Sequence, residues 1–149
     1  MNIEEKIIKN FSFNNKFIGD DCAYLKDTKQ LISTDSITEN THFDLKKFTA
    51  MQIAHRLFVS NYSDIQSSGG EPKYALFNIS FPKRKSLFAL SISRHLKNML
   101  KKNHISIIGG DTTKSRDIFL SLTLISKKIN RSQVLLRSKS KVNDEIYLF

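Results

Sequence analysis

Residues 74–110 read YALFNISFPKRKSLFALSISRHLKNMLKKNHISIIGG. The first eight alternate well enough to form a strand, since successive strand side chains face opposite ways. Pro82 then opens a helix predicted over 83–102, with Leu87, Leu90, Leu96 and Leu100 among its apolar positions. Lys101 and Lys102 fall in its last turn, where the helix dipole favours cations. Residues 105–108 form a short apolar strand that runs into Gly109-Gly110. A strand, a long helix and a second strand in this order place a helix against a sheet.

Upstream, Thr49 is positioned to cap a helix reaching Ser67, because Ile53, Leu57 and Ile65 recur on one face. Asn61 and Asp64 fall near that apolar stripe. Either Asp64 meets a cation, a donor or a cleft, or the helix end has left the core and the carboxylate is wet. Gly69-Gly70 and Pro72 end this helix. Residues 22–25 and 31–33 are brief β-prone runs with a hairpin near 27–30, and Ile3, Ile7 and Ile8 give an opening helix before a loop at Asn14, Asn15 and Gly19. Downstream, 118–125 is a longer strand, and 145–149 starts another. The order predicts an α+β domain, a mixed sheet with two long helices on one face.

The 149 residues, 40% hydrophobic, suit one compact core. Cys22 is the sole cysteine, so an internal disulfide and a cysteine-based zinc cluster are both excluded, and a reducing cytoplasm fits. No apolar run approaches the roughly 20 residues that span a bilayer. The net charge of +10 favours a polyanionic or phosphorylated partner. The basic residues come in small groups without aromatic interleaving, which reads as solvated edges rather than a nucleic-acid groove.

Four segments share one design, an acidic residue beside small or hydroxyl residues at the end of a run: Gly19-Asp20-Asp21, Ser33-Thr34-Asp35, Asn61-Tyr62-Ser63-Asp64 and Gly109-Gly110-Asp111-Thr112-Thr113. Carboxylates in so cationic a chain are oxygen donors for a hard divalent ion such as Mg²⁺, which also lets them share a site with phosphates. Gly109-Gly110 is either a close backbone approach to a phosphate or a tight turn. Walker A, Rossmann, protein-kinase and nucleophile-elbow patterns are all absent from the sequence.

In this order and spacing the segments resemble the thiamine-monophosphate kinases, in the superfamily of aminoimidazole ribonucleotide synthetases, selenophosphate synthetases and hydrogenase-maturation factors. Thr41-His42-Phe43, Gly70 to Leu76, Leu136-Arg137-Ser138 and Asp144 to Tyr147 extend the match over nearly the whole chain. The resemblance implies ATP-dependent phosphorylation of thiamine monophosphate to thiamine diphosphate with Mg²⁺. It assigns Asp21, Asp35, Asp64 and Asp111 as metal carboxylates and Ser33 and Thr34 as neighbouring oxygen donors. Gly110, Asp111 and Arg137 become nucleotide contacts, and His42 a contact to the thiamine phosphate. It further implies that residues 1–149 are the nucleotide- and Mg²⁺-binding amino-terminal domain, that a second domain completes the enzyme, and that the domain forms a homodimer through its sheet. No member of the set is assigned as the catalytic residue. Two departures stand out: Lys102-Asn103-His104 precedes the Gly-Gly-Asp strand where relatives often carry an aromatic residue, and Lys114-Ser115-Arg116-Asp117 replaces an Arg-Gly-Pro-like turn. Another ATP-using branch of the superfamily and a basic nucleic-acid-binding module are the alternatives.

Overall fold

The structure, a computed structural model, describes residues 2–11 and 18–145. The proposed loop at Asn14 and Asn15 and most of the proposed strand over 145–149 lie outside these residues. A first helix, α1 (Ile3–Phe11), leaves Ile3, Ile7 and Phe11 exposed. The strands are β1 (Ala23–Leu25), β2 (Gln30–Thr38), β3 (Pro72–Phe81), β4 (Ser106–Lys114) and β5 (Phe119–Ser126), with α2 (Ala50–Ser67) between β2 and β3 and α3 (Ser86–Lys102) between β3 and β4. They form one mixed sheet in the order β1-β2-β5-β3-β4, in which only β3 and β4 run parallel. The last of the described strands therefore lies at the centre.

Thr49 caps α2 as its sequence predicts. Its Oγ1 accepts from the Gln52 amide at 3.2 Å while Gln52 Oε1 accepts from the Thr49 amide at 2.9 Å. The buried face of α2 carries Ile53, Leu57, Asn61 and Ile65, all fully buried. Residues 83–85 form a 3-10 turn ahead of α3, and the stripe α3 buries is Ala89, Ile92, Leu96 and Leu100. Leu87 and Leu90 project outward, because they fall two residues out of step with that stripe. Along β5, Leu120, Leu122 and Leu124 are fully buried on the side α2 covers, and α3 packs beside α2 against β3 and β4, so the predicted α+β layering holds. Within one copy the other face is open. It carries Thr34, Ser36, Asn78, Ser80, Ser121 and Thr123, with Tyr74 and Phe119 among them.

Two strands run longer than their sequence indicates. β2 continues to Thr38, paired residue for residue with β5, so Asp35 lies mid-strand rather than at a strand end. β4 likewise passes straight through Gly109-Gly110-Asp111. The two glycines make neither a turn nor a loop. Ile108 is the extra residue of a register shift opposite Ala75 and Leu76, and Gly110, at φ 152°, lies against the Phe77 carbonyl.

Candidate metal-phosphate site

The seam between β2 and α2 gathers most of the acidic candidates. Ser33 is buried on the helix side of β2 and its Oγ donates to Asp64 Oδ2 at 2.9 Å. Two residues along, Asp35 faces the same way, as the strand period requires. Its Oδ2 accepts from Ser60 Oγ at 2.5 Å, and its backbone N–H donates to Asn61 Oδ1 at 3.0 Å. The Asn61 amide then donates to the Leu57 carbonyl at 3.0 Å, which satisfies a fully buried polar side chain. Each of Asp35 and Asp64 thus has one oxygen held by a serine from the opposite element. Their Oδ1 atoms accept no hydrogen bond among the described residues.

Asp64 is half-buried, and its carboxyl is raised above the ordinary carboxylate range first by burial and then by the neighbouring Asp35 and Asp21 charges. The Ser33 hydroxyl and Arg137 act in the opposite direction. Cys22 closes the inner wall, donating from Sγ to the Asp64 carbonyl at 3.2 Å, and burial pushes its thiol up to about 11. It is an inert core thiol. Because the folded state holds the Asp64 proton more tightly than the unfolded chain, folding stability falls as pH rises from the unfolded carboxylate range through the raised one. Asp64→Asn keeps an oxygen to accept from Ser33 and removes the charge. In metal-free melts the variant is expected to be at least as stable as the parent near pH 7, with the two curves converging below pH 4. A variant less stable at every pH would make Asp64 a structural residue.

Asp21 sits at the mouth of the seam in a forked ion pair. Arg137 Nε donates to Asp21 Oδ2 at 3.1 Å and its Nη2 to Asp21 Oδ1, while the Arg137 amide donates to Asp20 Oδ1 at 2.9 Å. The Asp21 hydrogen bond and charge hold the Arg137 guanidinium above its ordinary pKa. Asp20 therefore anchors a loop through a backbone amide, and Arg137 is within reach of anything that binds Asp21. At the other end of the seam, His42 Nδ1 accepts from the Thr38 amide at 3.0 Å, so the neutral ring carries its proton on Nε2. Arg56 of α2 holds the same turn by donating to the His42 carbonyl at 2.5 Å. His42 lines a shallow pocket of about 300 Å³ with Asn40, Thr41, Lys47 and Phe48.

Three candidates lie elsewhere. Thr34 points to the open face, its hydroxyl bonded to Thr123 Oγ1 at 2.9 Å and the Leu122 carbonyl at 3.3 Å, so its side chain does not join Ser33 and Asp35. Asp111 pairs with Asn78 on that same open face. It stands three strand spacings from β2, about 14 Å. Gly110 neighbours it. Of the carboxylates that the resemblance assigns to metal, Asp111 therefore does not meet Asp35 and Asp64 in one chain, because strand order separates β2 from β4. Ser60 and Arg56 went unrecognised in the sequence, although Ser60 lies one turn before Asp64 on the same helix face.

Among the described residues no three His, Cys, Asp or Glu side chains close around a common point. Mg²⁺ does not need such a cage, since it is commonly held by one or two carboxylates with water and substrate phosphates completing its octahedron. Asp35 and Asp64, each with one oxygen unengaged and no softer donor presented, fit that requirement.

Comparison with known proteins identifies the fold's relatives. The curated thiamine-monophosphate kinase of Buchnera aphidicola subsp. Acyrthosiphon pisum is 34% identical over 137 residues, covering 89% of this chain and 41% of that protein. The thiamine-monophosphate kinase of Haemophilus influenzae is 33% identical over 135 residues, covering 88% and 40%. The solved structure of AaThiL complexed with AMPPCP and TMP superposes with a TM-score of 0.72 at 25% identity, covering 85% of this chain and 43% of that one. The chain thus spans about two fifths of the length of the curated relatives it matches. The profile of the AIR synthase related protein family, N-terminal domain, matches residues 19–127, and it is to this family that the chain belongs.

Proposed function

We propose that this chain is the nucleotide- and Mg²⁺-binding part of a thiamine-monophosphate kinase, which transfers the γ-phosphoryl group of ATP to thiamine monophosphate. The observation that carries the reading is the reciprocal pairing of Ser33 with Asp64 and of Ser60 with Asp35, which leaves one oxygen of each carboxylate without a hydrogen bond among the described residues. Asp35 and Asp64 would hold Mg²⁺, with Asp21 at the mouth of the seam as a further carboxylate once its Arg137 fork is released, and the ion would supply neutralising charge for the phosphates. Arg137 exchanges its fork on Asp21 for a nucleotide phosphate, whose geometry it matches equally well. His42 donates from Nε2 to the phosphate of thiamine monophosphate, a role its tautomer allows without any change of protonation. Turnover requires the remaining substrate and metal residues from a carboxy-terminal half. A cytoplasmic setting accords with the buried, reduced Cys22, and no helix among the described residues is long and apolar enough to cross a membrane.

A homodimer belongs to the same proposal. The open sheet face, with Tyr74 and Phe119 each 36% exposed, is the surface such pairing would cover. Asp111 lies on that face and Gly110 beside it, both on the edge strand β4, so both stand where a partner would pack.

Calorimetric titration of Mg-ATP into the wild type and Asp35→Asn, on samples whose mass is read by light scattering, tests both parts. Binding in the wild type, weakened at least tenfold in the variant, and a mass of two chains are expected. Equal affinity would remove Asp35 from the site, and monomers at high micromolar concentration would remove the dimer.

A further inference from the structure

Asn61 is an oddity on the buried face of α2, a fully buried amide among Ile53, Leu57 and Ile65. Both of its polar ends are engaged. Asn61 Oδ1 accepts from the Asp35 backbone N–H at 3.0 Å, and its own amide group donates to the Leu57 carbonyl. A backbone N–H shut away from water needs such an acceptor. An asparagine side chain presents a C=O and an N–H as a peptide does, so α2 bonds directly to the backbone of β2 at Asp35. Ser60, the preceding residue, reaches the same aspartate and pins Oδ2 at 2.5 Å. Backbone and carboxylate of Asp35 are thus fixed from two consecutive helix positions.

We propose that Ser60 and Asn61 are positioning residues for Asp35: together they fix its backbone and rotate its carboxylate so that Oδ1 is presented to a divalent cation. Neither touches the ion. The inference rests on the reading that Asp35 binds a cation and adds the residues that make that binding tight. Partners of this kind, which orient a ligand through its second oxygen, typically change metal affinity by about 10- to 100-fold. Ser60 is half-buried at the seam, whereas Asn61 lies in the core, so the two divide the test between them.

Mn²⁺, as a paramagnetic substitute for Mg²⁺, is titrated by water-proton relaxation into the chain without nucleotide. Ser60→Ala is expected to weaken Mn²⁺ binding about tenfold with little change in the melting temperature, and Ser60→Thr, which keeps the hydroxyl, to restore it. In an Asp35→Asn background the Ser60→Ala loss should vanish, because a residue acting through Asp35 has nothing left to orient. Undiminished affinity in Ser60→Ala, or the same loss with Asp35 already replaced, overturns the inference and leaves the cation site standing. A wild type that takes up no Mn²⁺ overturns the cation site itself. The Asn61 part is read without metal by amide hydrogen exchange. The Asp35 amide is expected to be protected in the wild type and to exchange faster in Asn61→Leu, and equal protection in the two would refute the role of Asn61.

Discussion

Gly110→Ala is expected to destabilise the domain by about 3–5 kcal/mol, enough to leave little folded protein at 37 °C. A Cβ at Gly110 would lie 1.8 Å from the Phe77 carbonyl oxygen and 2.7 Å from its carbon, both of them backbone atoms of the paired strand. No side-chain rotation relieves that overlap, and φ 152° is itself poorly tolerated by an L-residue. β4 would have to leave β3 from the register shift onward. The neighbouring substitution is the control. At Gly109 a Cβ meets only Leu76 Cδ2, at 3.1 Å, the far end of a flexible side chain, so Gly109→Ala should cost about 1 kcal/mol or less. Urea unfolding of the two variants separates a steric demand at one residue from a general intolerance of the pair. Equal stabilities would refute it.

Lys85→Met is expected to cost about 3 kcal/mol, a fall of about 10 °C in melting temperature for a chain of this size. Lys85 reaches down from the start of α3 to form an ion pair with Glu39, which is 7% exposed, and Asp117 Oδ1 lies 4.0 Å away. The second Glu39 oxygen accepts from the Ile118 amide at 2.9 Å. One carboxylate therefore ties the end of β2 to the entrance of β5 and the base of α3. Removing the cation leaves that carboxylate buried and unpaired, which costs more than the pair contributes. Adding Glu39→Gln should recover part of the loss, because an amide oxygen can still accept from Ile118 while the buried charge is gone. If the double variant is no better than Lys85→Met alone, the lost term is packing by the lysine stem rather than charge.

The elements that depend on local chemistry were legible in the sequence. The Thr49 cap, the apolar stripe of α2 and the α+β layering follow from spacing alone, whereas the part of Gln52 in the cap went unread. Asn61 was visible as a misfit but not as a solution, because the orphan N–H it serves belongs to a strand 26 residues away. The opposite orientations of Ser33 and Thr34 follow from the two-residue strand period once β2 is known to continue through Asp35. Its hydroxyl-rich sequence disguised that continuation. The isolation of Asp111 from Asp35 could not be read at all. It depends on which strands lie between β2 and β4, and strand order is fixed by long-range packing. The Arg137–Asp21 fork, closed across 116 residues, is of the same kind.

The central position of β5 has a consequence for the order in which the chain can assemble. β3, α3 and β4 form a consecutive unit whose parallel pairing closes through its own helix, so it can associate once residue 114 is available. β2 has no such local partner beyond the three-residue ladder with β1. Its remaining edge waits for β5, whose residues pair with it across separations such as Ile37 to Leu120. On the ribosome, Asp35 and Asp64 therefore stay unassembled until residue 126 has emerged, and the newly made chain carries two half-sheets that only β5 joins.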